Sequence, residues 1–198
     1  MANVDRVRGF EPVGFLSGAS YNGESRRCYV PSGQDKALAV GDIVKLLANG
    51  ASKNVPNVTD SDAGDCPCGV ITSIERWEDG ILDPTYLPAS TGAYVLVCMD
   101  PNLVMRVQSS GTVEDGDVGA NADLVAAGVD TDSGASGMEI DQSTVNTTNT
   151  LIFFILEVED RADNELGANA DLLVGFNIHQ YGHGADTTGS TGSTGVHA

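Results

Sequence analysis

No stretch of this chain long enough for a helix carries apolar residues at three- and four-residue spacing without a Gly, Pro, Asn or Asp breaking it. A core built from packed helices is thereby excluded. What remains is a set of short runs rich in β-branched and aromatic residues: Arg27 to Val30, Leu38 to Leu47, Gly69 to Trp77, Tyr94 to Met99, Leu103 to Gln108, Leu151 to Glu159 and Leu172 to His179. Turn clusters separate them, including Pro31-Ser32-Gly33, Asn49-Gly50, Asp62-Ala63-Gly64-Asp65, Gly111 to Gly116 and Gly128 to Gly137. Many short strands with Gly and Asp punctuation predict an all-β fold, a small barrel or sandwich.

The 198 residues suffice for one substantial domain or two small ones. Residues 1–26 read as an extended N-terminal arm, because Gly9-Phe10-Glu11-Pro12-Val13-Gly14-Phe15 mixes apolar groups with strand breakers. Residues 27–183 form the β-rich domain, with a division into two β units near residue 110 as an option. Residues 184–198 are a Gly/Ser/Thr-rich tail. The run Leu151 to Leu156 is apolar on both faces and needs cover on both sides. Phe153, Phe154 and Ile155 therefore mark either a central core strand or a subunit interface.

The hexapeptide Gly-Ala-Asn-Ala-Asp-Leu occurs twice, at Gly119 to Leu124 and at Gly167 to Leu172, each time behind an acid-plus-aliphatic pair. Its residues suit a shaped backbone and not catalysis. Gly and Asn accept left-handed angles, and Asn and Asp side chains bond nearby main chain, so each copy reads as a turn feeding a strand. The likeness stops after eight positions. One turn solution used twice, at equivalent points of two related β units, explains it better than a duplicated domain.

Charge narrows the partners. Residues 1–56 hold seven Lys/Arg against five Asp/Glu, whereas residues 57–198 hold only Arg76, Arg106 and Arg161 against 23 acids, giving a net charge of -18. Such a surface repels nucleic acid and anionic membranes alike. Solubility is the plain reading of the acidity; a polar assembly component with its less acidic N-terminal part toward a partner is the sharper one. No basic-then-apolar leader opens the chain, and its longest apolar run is too short to span a bilayer, so synthesis in a cytoplasm is expected.

The candidates for chemistry fail one by one. Cys66-Pro67-Cys68 has one intervening residue where zinc sites use two to four, and Cys28, Cys68 and Cys98 sit in strand-like runs as small hydrophobes. Asp130-Thr131-Asp132-Ser133-Gly134 opens like a calcium loop, but the sixth position is Ala135 and the twelfth Asp141. Asp60 to Asp65 shares the weakness. His179 and His183 lack the helix that a zinc-protease pair requires. Gly134-Ala135-Ser136-Gly137 has the wrong spacing for a nucleophile elbow, and no Gly-Lys-Ser/Thr phosphate loop exists. The expectation is a non-enzyme without metal or cofactor.

Read in order, several segments resemble one family. They are Met1-Ala2-Asn3-Val4-Asp5, Gly9-Phe10-Glu11-Pro12-Val13, Tyr21-Asn22-Gly23, Tyr29-Val30-Pro31-Ser32, Ala37 to Lys45, Pro88-Ala89-Ser90-Thr91, Tyr94 to Val97, Asp117 to Val125, and Asp163 to Ala170 followed by Val174 and Asn177 to Gln180. The series is similar to tailed-bacteriophage virion proteins encoded near the major capsid protein. It runs to about residue 181, and the tail after His183 and the Cys66-Pro67-Cys68 pair depart from it. The resemblance implies a capsid decoration (cement) protein: β-rich, non-enzymatic, bound to the outer surface of the major capsid shell, and a homotrimer, with a two-fold dimer as the alternative. On that reading Arg6 and Arg8 meet capsid carboxylates, while Phe10, Pro12 and Phe15 complete an arm whose rings fill apolar pockets on the capsid. The alternative from another class is a calcium-dependent β-rich adhesin or carbohydrate-binding module built on the Asp-rich loops.

Overall fold

The computed structural model describes residues 3–52, 54–75 and 85–182. Trp77, His183 and the 184–198 tail lie outside the described residues. The fold is all-β, as the sequence predicts. Its strands are β1 (Glu11–Phe15), β2 (Arg26–Val30), β3 (Leu38–Ala39), β4 (Ile43–Ser52), β5 (Val55–Asp60), β6 (Gly69–Ile74), β7 (Tyr86–Leu87) and β8 (Ala93–Cys98). They continue as β9 (Leu103–Gln108), β10 (Thr112–Val113), β11 (Asn121–Val125), β12 (Glu139–Asn146), β13 (Phe153–Val158), β14 (Gly167–Ala168) and β15 (Asp171–Phe176). A single 3-10 turn, Asp115–Asp117, is the only helical element among the described residues.

Five strands close into a barrel in the order β2-β5-β4-β6-β8. Closure leaves no open edge to pair with a stray chain. Alternate residues of β2 and β8 point inward, so Cys28, Val30, Val95 and Val97 join Val44, Leu46, Val58 and Ile71 in the barrel core. On the outside, the Arg27 guanidinium lies 3.6 Å from the centre of the Tyr94 ring.

The second unit is a six-stranded antiparallel sheet ordered β1-β9-β15-β13-β11-β12. β13 lies inside the sheet, with Phe153 and Ile155 buried; the half-buried Phe154 ring covers Gly175 of β15, its cross-strand partner, and Leu156 is 41% exposed, so the run is not covered on both faces. The sheet core, with Met105, Leu124, Leu172 and Val174, also takes in Ile43, Val70 and Cys98 of the barrel strands, so the two units share apolar contact. The chain passes from barrel to sheet between β8 and β9, ahead of the expected division near 110. The Gly111 to Gly116 cluster is an internal turn of the sheet unit, carrying the chain from β9 through β10 to β11.

The expected N-terminal arm is corrected. β1 pairs with β9 from Glu11↔Arg106 to Phe15↔Leu103, and Phe10 is 1% exposed, stacked 4.7 Å from Phe153. The breakers that suggested a free arm are those an edge strand tolerates. Pro12 needs no donor there, and the pairing slips by one residue between Pro12 and Gly14. Beyond β1 the chain turns back on itself, with Phe15 N–H donating to Ala19 C=O at 2.9 Å. A Cβ at Gly9 would lie 2.5 Å from Ser136, so glycine is what lets the strand approach the sheet.

Both copies of the repeat begin strands of this sheet. β11 and β15 flank β13 on opposite sides, each antiparallel to it. In each copy the aliphatic residue (Val118, Leu166) is exposed, the glycine has positive φ (86° and 139°), and Ala, Asp and Leu are buried. The copies belong to one sheet and not to two related units.

Candidate functional site: the N-terminal strand and the barrel mouth

Residues proposed from the sequence as partner contacts are engaged within the chain. Arg6 donates its backbone N–H to Gln108 Oε1 at 2.9 Å, and its guanidinium lies 3.4 Å from Asp163. Arg8 reaches the buried carboxylate of Asp171 at 3.2 Å and Glu11 at 3.5 Å. Phe10 fills the core of its own sheet and is removed from the contact set. Pro12 and Arg8 line a groove of about 640 Å³ between β1 and the barrel, walled opposite by Val40, Thr72 and Leu96. Phe15 is half-buried against Tyr21, their rings 6.4 Å apart.

Asp171 ties these parts together. One carboxylate oxygen accepts from Arg161 at 2.7 Å as well as from Arg8. Arg161 also bonds Glu159, which accepts from Arg106 at 2.8 Å, and Arg106 reaches Glu11 of β1. The network clamps β1 to β9 and β15. The matching position in the first copy, Asp123, has no cation within 4 Å among the described residues. Burial pushes its carboxyl up, against the N–H groups of Leu124 and Gly64, with Asp141 and Asp65 adding to the rise.

The Asp-rich loops are satisfied by their own chain. Lys36 Nζ lies 2.6 Å from both Asp60 and Asp62, and Lys45 lies 2.6 Å from Asp65. Burial pushes the Asp60 carboxyl up, but Lys36, Gln34 and Thr59 together hold it below its ordinary value. In the other loop Asp130 accepts from the Ser133 hydroxyl at 2.7 Å and the Asp132 N–H at 3.0 Å. Among the described residues no group of three or more His, Cys, Asp or Glu side chains is arranged to hold a metal ion.

Cys28, Cys68 and Cys98 are buried, Cys66 is half-buried, and all four are free thiols. Burial pushes Cys28 and Cys66 up to about 11, leaving them protonated and poor nucleophiles. His179 lies in the turn after β15, its ring edge against Phe176 at 4.9 Å and its Nδ1 accepting the Tyr181 N–H. Burial pushes this imidazole down to about 4, outweighing the pull of the Cys68 main chain and Asp100. The turn caps one end of the barrel, where Gln180 Oε1 accepts the Leu46 N–H at 2.7 Å.

Beside that cap lie surface residues that sequence reasoning passed over. Arg26, Arg27, Pro56, Met99 and Tyr181 line a cleft of about 540 Å³. A second cleft of about 490 Å³ shares Arg26 and Met99 and continues to Glu24, Asp100 and Pro101. The Arg26-Arg27 doublet, set in so acidic a chain, was the available signal.

Compared with protein-family models, curated proteins and solved structures, the chain matches none of them.

Proposed function

We propose that the protein is a virion structural protein, a decoration protein that binds the outer surface of a tailed-phage capsid shell and stabilises it. The observation that carries the reading is the ordered series of short segments resembling that family. Those segments overlap β1, β8 and β11, the end of β2 and the start of β4, and both repeat turns, and they leave out β5, β6, β9, β12 and β13. The likeness is spread along the chain in order, which supports the reading more than one borrowed motif would. The clamped N-terminal strand and the closed barrel supply the rigidity that a cement needs, and many weak copies acting together become strong through multivalency. On this reading the protein is not an enzyme, needs no cofactor, and works as a homotrimer or a dimer on the virion surface.

The test is cosedimentation of the purified protein with empty capsids of its own phage, with and without a calcium chelator. Binding indifferent to chelator is the expected result. Binding to glycan but not to capsid, or loss of binding and fold on chelation, would shift the function to a calcium-dependent adhesin or carbohydrate-binding module.

A further inference from the structure

Eight Lys/Arg side chains lie among the described residues, and seven of them have a carboxylate within 4 Å: Arg6, Arg8, Arg27, Lys36, Lys45, Arg106 and Arg161. Arg26 alone among them has none. In a chain with 28 acids and 10 bases, chance pairing favours every cation. The exception sits at the start of β2, shared by two adjoining clefts: one holds Pro56, Met99 and the half-exposed ring of Tyr181 and has no acid in its lining, and the other carries Glu24 and Asp100, neither within 4 Å of the guanidinium.

Its neighbour sharpens the contrast. Arg27 presents two nitrogens to Glu75, with contacts from 2.6 to 3.0 Å, and lies over Tyr94. It is a finished ion pair. Arg26 has the same fork and no carboxylate within 4 Å among the described residues, and its backbone is fixed by pairing with Val97 of β8. A guanidinium carried on a strand beside Pro56, Met99 and Tyr181 can grip a planar anion through two parallel N–H bonds. Arg, Tyr and Met are also side chains enriched in the energetic centres of protein interfaces.

Resting on the capsid-decoration reading, we propose that the Arg26 cleft is the docking site, and that its occupant is an Asp or Glu side chain on a segment of the shell protein. Charge complementarity selects that occupant. A nucleic acid would bring a row of phosphates into the field of a chain at -18, whereas one carboxylate on a protein segment brings a single charge into the cleft. Arg26, Pro56 and Tyr181 are exposed and Met99 is half-buried in the free chain, so it is the docked segment that would exclude water and strengthen the pair.

Capsid cosedimentation of Arg26→Glu, Tyr181→Ala and Arg6→Glu beside the wild type tests this. Arg26→Glu should lose about thirtyfold or more in affinity, as removal of one partner from a hydrogen-bonded interfacial charge pair does. Tyr181→Ala should lose severalfold, and Arg6→Glu should bind as the wild type does. Equal thermal midpoints for the variants show that each is folded, and Tyr181→Ala carries the test if Arg26→Glu is not. Wild-type binding with undiminished Arg26→Glu and Tyr181→Ala binding overturns the cleft assignment alone. Loss in Arg6→Glu only returns the contact to the N-terminal strand. Failure of the wild type to cosediment overturns the decoration reading, and the cleft assignment with it.

Discussion

Two buried ionisable groups set opposing pH dependences in this molecule. His179 is held neutral by burial, with its value pushed down to about 4. As pH falls from the ordinary histidine range toward 4, the unfolded chain takes up a proton that the folded chain refuses, so stability is lost across that window. Asp42, buried with its Oδ2 accepting the Ala39 N–H at 2.7 Å, is pushed up to about 6 by burial, against the Ser136 hydroxyl and that N–H. Below about 6 the folded state takes up the proton first, so stability is gained as pH falls toward the ordinary aspartate range. Each shift is worth on the order of 3 kcal/mol, and their signs cancel over most of the same window. Thermal midpoints of the wild type should therefore vary little between about pH 4.5 and 6.5. Asp42→Asn removes one side of the balance and should show a falling midpoint on acidification; a profile as flat as the wild type's would refute the assignment.

At the scale of elements, the repeated hexapeptide makes a quantitative statement. Gly119 and Gly167 both have positive φ, and an added Cβ at either would meet open space. Alanine there costs backbone strain alone, about 1–2 kcal/mol at Gly119 and more at Gly167, whose φ of 139° lies well outside the left-handed range open to other residues. Chemical denaturation of Gly119→Ala and Gly167→Ala should show a loss at both sites, the larger at Gly167, with an unchanged denaturant slope. A neutral effect at either site would overturn the strain assigned to that turn. Strands such as β9 and β13 were legible in the sequence because apolar pattern alone determines them. β5, β11 and β12 were not. β12 is a polar edge strand, Glu139 to Asn146, with little apolar pattern to read. β11 was read as the turn that precedes it. β1 was hidden by Pro12 and Gly14, breakers in a central strand and harmless at an edge. The Arg26 cleft, proposed above as the docking site, was illegible for another reason. Arg27 forms an ion pair with Glu75 and Arg26 forms none within 4 Å among the described residues, and proximity across strands is not written in local sequence.

For the whole molecule, the N-terminal segment decides between two pictures of how the chain is built. A free arm could be removed without touching stability, whereas the observed β1 seals one edge of the six-stranded sheet, delivers Phe10 to Phe153 and brings Arg8 to Asp171. Asn3 extends the same stitching, donating from its side chain to the carbonyls of Glu165 and Ala168 at 2.8 and 2.9 Å. Because the sheet core also takes in Ile43, Val70 and Cys98, loss at this edge propagates toward the barrel. Deleting residues 1–15 should therefore lower stability by several kcal/mol. Phe10→Ala alone should cost about 3–5 kcal/mol, the range for emptying a buried aromatic site. Calorimetry of the two variants measures both. The Arg26 cleft draws no residue from this segment, so on the proposed decoration reading a Phe10→Ala protein still folded at low temperature should bind capsids as the wild type does while melting earlier. An N-terminal deletion with the wild-type melting temperature would restore the free-arm picture and the contact set that went with it.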